Sequence, residues 1–135
     1  MNLKDKGLII YVKIIKENNL LIKLLTEKNG LKIAMVYGGN SKKNKRIYQL
    51  GNFISFNLIQ KNENSISSIT GDLQIPLMSN IFNDKFKLYC VMSCCSLINI
   101  TINENQRFDK IYSESEILFK MLNNKTFFYY TNKKS

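Results

Sequence analysis

The chain has 135 residues, 44% of them hydrophobic, with 20 Lys/Arg against 10 Asp/Glu, a net charge of +10 and no histidine. That length suits one domain, or a small domain with part of a second, and the apolar content excludes global disorder. The missing histidine excludes every histidine-dependent triad and removes the commonest general base.

Cys90, Cys94 and Cys95 lie together in an apolar stretch with no fourth sulfur, so they read as reduced core thiols rather than as a zinc site. No cofactor or metal is expected. No run approaches the roughly 20 apolar residues of a membrane span, and MNLKDKG lacks the apolar segment of a secretory signal. The expected location is the cytoplasm, with no membrane partner.

The charge is unevenly spread. Residues 1–61 hold 12 Lys/Arg against 3 Asp/Glu, and residues 62–135 hold 8 against 7, so the surplus of +9 and +1 belongs to the first half. Of the cations 18 are Lys, beside 18 Asn and one Ala, a bias that AT-rich coding produces unaided. The asymmetry is therefore a better pointer to a polyanionic partner than the total.

GLIIYVKII (Gly7 to Ile15) predicts a first strand, with Leu8, Ile10, Val12 and Ile14 on one face and Ile9, Tyr11 and Lys13 on the other. Glu17 to Asn19 predicts a turn, NLLIKLLT a second strand, and Lys28-Asn29-Gly30 a tight hairpin turn, because Asn and Gly accept positive φ cheaply. GLKIAMVY is a third strand. VYGGNSKKNKRIYQLGN follows and reads as a long basic loop. NFISFNLIQ predicts a fourth strand with Ile54, Phe56 and Leu58 inward and Phe53 outward, and SISSITGDLQI a fifth. Five strands in about 75 residues suggest a small barrel that closes its own edges.

Pro76 marks a change of period. Asp84 is the expected N-cap of a helix over Lys85 to Ile100, with Phe86, Tyr89, Cys90, Ser93, Leu97 and Ile98 as its apolar stripe. Asn103 to Arg107 predicts a break. Phe108 to Leu122 predicts a second helix with a stripe of Phe108, Ile111, Tyr112, Ile117, Leu118 and Met121 and an outer Glu116–Lys120 pair. The tail KTFFYYTNKKS sets four adjacent aromatics on a polar stub, as in a chain cut short. The expected fold class is α+β: a five-stranded OB-type β-barrel domain over residues 1–75, then a helical region over 76–135 with two main helices, an incomplete C-terminal helical domain.

Lys42, Lys43, Lys45 and Arg46, with Lys13, Lys23 and Lys32 on neighbouring strands, can replace the counterions of a nucleic-acid backbone. Tyr11, Tyr37, Tyr48 and Phe53 can stack bases, and Gly38-Gly39 lets the backbone approach a phosphate. The competing reading is a solvated lysine loop beside core aromatics. GGNSKKNKR lacks the GxxxxGK[ST] spacing of a nucleotide-hydrolase loop. Asp5, Glu17 and Glu27 have no paired carboxylate and Ser41 no base, so no enzyme is expected.

The order of these features resembles the RecO family of bacterial recombinational repair proteins. The resemblance rests on Asp5 and Gly7 in the first strand, Glu17 to Leu20 at the acidic turn, Leu25-Thr26 with Gly30, Gly38-Gly39 with its lysines, Leu50-Gly51-Asn52 where the family has L-x-P-G, and Arg107-Phe108 at the second helix. It implies an OB domain before a helical domain, and binding of single- and double-stranded DNA in the bacterial cytoplasm at the nucleoid. It further implies strand annealing and recombinase loading on DNA coated by single-strand-binding protein, in the RecF pathway, with RecR as partner. Family members are usually nearly twice as long. Two alternatives share the residues: a module that docks an acidic tail of the single-strand-binding protein without touching DNA, and an RNA-binding OB protein.

Overall fold

A computed structural model describes residues 2–16, 18–102 and 109–123 of the chain. Its β-branched and aromatic runs form five strands: β1 (Asn2–Ile15), β2 (Asn19–Thr26), β3 (Leu31–Val36), β4 (Phe53–Ile59) and β5 (Ser67–Ile75). They close a barrel in the order β1-β2-β3-β5-β4. The last seam is a short parallel pairing of Ala34 and Met35 with Ser67 and Ser68; all other pairs are antiparallel. The fold is an OB-type barrel followed by helices, as the alternation and turn spacing predict.

The β2–β3 turn is held from outside its own hairpin. Gly30 takes φ +70°, and the Thr26 hydroxyl donates to its carbonyl at 2.6 Å while accepting from Asn29 N. From β1, the Asp5 carboxylate accepts from Lys28 N at 3.1 Å and from Asn29 Nδ2 at 2.6 Å. Of the turn predicted at Glu17 to Asn19, Glu17 lies outside the described residues; Lys16 before it has φ +52°.

One prediction about β1 fails, and the reason is a bulge. Ile9 pairs with Leu24 and Tyr11 with Lys23, which leaves Ile10 as an extra residue. Parity therefore switches within the strand. Ile9 and Val12 join the barrel interior with Leu20, Ile22, Leu24, Ala34, Ile54, Phe56 and Leu58, whereas Leu8 and Ile10 join a second core beneath the helices. Ile14, which shares the interior's parity, reaches the rim and is largely exposed.

The stretch read as a basic loop is a helix at its centre, α1 (Lys42–Ile47), packed at the end of the barrel. Ser41 caps it, accepting from Asn44 N at 3.2 Å. Tyr48 ends it and turns inward. Its hydroxyl accepts from Gly71 N at 2.8 Å, and at 4% exposure the ring is part of the barrel core. Burial raises the Tyr48 pKa above its ordinary value, the bond from Gly71 opposes this, and the Asp72 charge adds to the rise.

Beyond β5 come α2 (Leu77–Ile81), α3 (Lys85–Thr101) and α4 (Asp109–Asn123). Asp84 caps α3, accepting from Lys87 N at 3.2 Å. Both predicted stripes are corrected. Helix α3 buries Lys87, Val91, Cys95 and Ile98 and leaves Phe86, Tyr89 and Leu97 exposed; α4 buries Tyr112, Ser115, Phe119 and Leu122 and leaves Ile117, Leu118 and Met121 exposed. Both helices carry apolar residues on more than one face, so periodicity alone did not identify the face that the barrel takes. The ring of Phe53, outward on β4 as predicted, is buried at 1% exposure by edge-on contacts with Tyr112 and Phe119 at 6.0 and 5.7 Å. Lys120 lies 3.8 Å from Glu116. The break at Asn103 to Arg107, Phe108 and the aromatic tail lie outside the described residues.

Asn52 joins the parts. Its side chain donates to Arg46 O and Ile47 O at the end of α1, both at 3.2 Å, and accepts from Met78 N at the start of α2, while its backbone carbonyl accepts from Ile9 N at the bulge. Asn52→Ala leaves these groups without partners, and a loss of about 2–3 kcal/mol is expected in urea unfolding followed by circular dichroism. A second expectation concerns alkaline pH. Burial, and less so the neighbouring Cys94, pushes the Cys95 thiol up to about 12 from an ordinary 9.0, and burial likewise raises Tyr48 and Tyr112. Their folded pKa values exceed the unfolded ones, so this stability is full below pH 9 and declines as pH rises toward about 12. Urea midpoints should fall across that window, and less steeply in Cys95→Ala.

Candidate nucleic-acid interface

Six residues of α1 carry four of the chain's cations on one side. At 100° per residue Lys42, Lys43, Lys45 and Arg46 span an arc of about 160°, and Asn44 and Ile47 occupy the other. All four cations are exposed, while Asn44 and Ile47 are partly buried. Asn44 Nδ2 donates to Gly38 O at 2.9 Å, Gly38 N to Asn19 Oδ1 at 3.1 Å, and Asn40 N to Asn18 O at 3.1 Å, which fasten the helix to the β1–β2 connection. Gly39 is required for that approach: a Cβ there would stand 2.8 Å from Leu20 Cγ. Lys45 and Arg46 also complement the negative end of the helix, the structural share of their role.

The outer surface of β1, β2 and β3 supplies a sheet face. Cross-strand pairing sets Tyr11, Lys23 and Ile33 in one row and Lys13, Leu21 and Met35 in the next, and Tyr37 follows Met35 on the same parity beyond the end of β3. Lys23 Nζ lies 5.0 Å from the centre of the Tyr11 ring, and Tyr37 is 65% exposed. The helices cover the other end of this surface, over Leu8, Ile10, Leu25 and Leu31. What remains open is a patch of rings, methylenes and lysines of the kind on which OB folds lay single strands.

The predicted site residues thus divide. Lys42, Lys43, Lys45 and Arg46 stand together on α1, and Lys13 and Tyr37 on the open sheet face. Lys32 pairs with Leu24 on the inward parity of Ala34 and Val36, so it does not share that face. Tyr48 and Phe53 are buried and offer no ring to a base, because closing the barrel and seating the helices each took an aromatic. Leu21, Ile33 and Met35 share the open sheet face and were not among the predicted residues; their alternation with lysine and buried residues was the available signal.

Two clefts frame these surfaces. One of about 740 Å3 lies between the rim, α1 and α2–α3, lined by Val12, Ile14, Leu50, Phe82, Met92 and other apolar groups, with Lys45 and Arg46 at its edge and no carboxylate in its wall. The other, across β1, β4 and β5, sets Lys4 and Lys6 against Asp5 and Asp72 and is charge-balanced. Among the described residues no three His, Cys, Asp or Glu are grouped to hold a metal ion, and no helix is long and apolar enough to cross a membrane.

Comparison with known proteins matches residues 1–74 to the family described as "Recombination protein O N terminal". The "DNA repair protein RecO" of Rickettsia canadensis is 33% identical over 113 residues, covering 84% of this chain and 46% of that protein; that of Rickettsia africae is 35% identical with 84% and 47% covered. An uncharacterized Rickettsia prowazekii protein is 36% identical over 106 residues, which is 78% of this chain but 91% of that protein. The chain spans about half the length of the curated RecO relatives that it matches. The barrel, its order of strands and the match over its whole length agree: the chain belongs to the recombination protein O family.

Proposed function

We propose that this chain grips DNA by its backbone and serves repair and recombination. In this reading the phosphates of a strand run over Lys42, Lys43, Lys45 and Arg46, and its bases lie on the open β1–β2–β3 face against Tyr37 and Tyr11, with Lys13 and Lys23 between them. The observation that carries the reading is the single cationic side of α1, held by hydrogen bonds from Asn44 and Asn52 beside that face. None of these groups reads a base edge, so the grip takes single and double strands of any sequence. Neutralising the phosphates of two complementary strands also lowers their repulsion, which is the physical requirement of annealing. The family and its "DNA repair protein RecO" members support repair and recombination; within that reading the grip serves recombinase loading on DNA coated by single-strand-binding protein, with that protein and RecR as partners.

Replacing Lys42, Lys43, Lys45 and Arg46 together by Ala should flatten the salt dependence of single-strand binding. About 0.7 of a unit of log–log slope per phosphate contact predicts a reduction near 3, read by fluorescence anisotropy of an unstructured oligonucleotide over a range of salt. An unchanged slope removes α1 from the interface. Tyr37→Ala should cost roughly 1–3 kcal/mol of affinity with the slope unchanged, because stacking releases no counterions. A parallel titration with the RNA of the same sequence separates DNA from RNA preference.

The apolar cleft edged by Lys45 and Arg46 favours a second reading, a dock for an acidic peptide tail. Affinity for such a peptide with none for bare DNA would select it over the first.

A further inference from the structure

Three exposed apolar side chains outside both cores converge on one concavity. Ile14 at the rim of β1, Phe82 at the end of α2 and Met92 on α3 are 57%, 71% and 50% open, and all three line the cleft of about 740 Å3 beside α1. Its floor is continuous with the interior. Val12 packs against the barrel core, and Leu50 and Met78 against the core beneath the helices. The volume lies within the roughly 300–1,000 Å3 of sites that bury a small ligand, and mostly apolar walls with a small number of placed polar groups are usual in them. Among the polar groups here are Lys45 and Arg46 at the edge and the amide of Gln49.

We propose that this cleft takes one unstacked nucleobase of a single strand held on α1. The proposal rests on the reading of α1 as a phosphate track, and it adds a site that the track lacks. Lys45 and Arg46 belong to both. They are the last two cations of α1 and they edge the cleft, so a strand whose phosphates they hold carries a base to its mouth. With no carboxylate among the lining residues, nothing there repels the phosphate that accompanies the base. The Phe82 ring offers a face for stacking, and the Met78 and Met92 thioethers are soft enough to adjust to a planar ligand. The Gln49 amide, with both donor and acceptor, can pair with a base edge.

The alternation of β1 explains why a base leaves the sheet face at this point. Tyr11 and Lys13 point to the open face of β1–β2–β3, and Val12 and Ile14, one residue out of phase, to the cleft. The end of β1 is thus a divide between two surfaces for bases, and a strand crossing from Tyr37 and Tyr11 to Lys45 and Arg46 has its stack interrupted there. A duplex cannot use the second surface, because its bases stay paired and stacked. The cleft therefore favours single strands, a preference that phosphate contacts alone do not give. An acidic peptide is the other class of ligand that suits these walls, and continuity with the α1 track decides for the strand.

Photocrosslinking of the 135-residue chain to a single-stranded oligothymidylate carrying iodouracil tests the site directly. Adducts on Phe82 or Met92, mapped by mass spectrometry, are expected; adducts confined to Tyr11, Tyr37 or other residues outside the cleft overturn it. Phe82→Ala should weaken single-strand binding by roughly 5- to 150-fold with the salt slope unchanged, and the loss should not extend to a duplex of the same length. Phe82 is exposed, so an unchanged thermal melt is expected to accompany the loss. Equal losses for single strand and duplex, or none for either, overturn the base pocket. A wild type that binds no DNA removes the phosphate track and the pocket with it. A wild type whose affinity falls steeply with salt, but that neither crosslinks in the cleft nor responds to Phe82→Ala, keeps the track and loses the pocket. Binding of an acidic peptide that depends on Phe82, with no cleft adduct from DNA, overturns the pocket and assigns the cleft to the second reading.

Discussion

One extra residue in β1 sets the course of the rest of the architecture. A strand of period two can feed one core on each side, but a regular β1 would have committed Leu8, Ile10 and Val12 to the same side. The bulge at Ile10 lets Leu8 and Ile10 support the helices while Val12 returns to the barrel. Ile9, just before the bulge, carries the β1–β4 register one residue past Phe53, donating to Asn52 O and accepting from Gly51 N. Gly51 fits there because it takes φ +93° and because a Cβ would come within 2.5 Å of Val91. The bulge and this glycine turn are two halves of one joint.

From that joint the basic helix acquires its stiffness. A six-residue helix has too few internal hydrogen bonds to hold itself. Asn52 ties the end of α1 to the start of α2, Ser41 and Asn44 tie its beginning, and Tyr48 anchors it to Gly71 inside the barrel. Stiffness matters for the proposed grip, since lysines on a mobile loop lose part of their attraction for a line of charges to the entropy of ordering. The four cations stay exposed because every residue on the helix's other side is used for attachment.

The motif residues that carry the family resemblance have structural work in this molecule. Asp5 closes the β2–β3 turn from a neighbouring strand, Thr26 and Gly30 bond to each other within it, and Gly7 leaves room for Phe56. Gly39 clears Leu20, and Asn52 joins three elements. They specify the barrel, and the exposed lysines and tyrosines between them are less distinctive. That explains why order and spacing reveal the family while the faces of the lysines and tyrosines had to be sorted by geometry.

Local chemistry in the sequence determined the strands, the tight turns, the Asp84 cap and the concentration of positive charge in the first half, because β-propensity, turn residues and net charge act over a few neighbours. It also placed Ile54, Phe56 and Leu58 inside, where alternation ran without interruption. Tertiary structure decided which way the ambiguous residues face. The parity switch at Ile10 depends on pairing with β2 and with Gly51-Asn52; the helical state of Lys42–Ile47 depends on contacts with Asn52, Tyr48 and the barrel. The burial of Tyr48 and Phe53 depends on cavities that exist only once five strands close and two helices settle. On α3 and α4 apolar residues lie on more than one side, so only contact with the barrel, a long-range event, selects the buried side and leaves the other available.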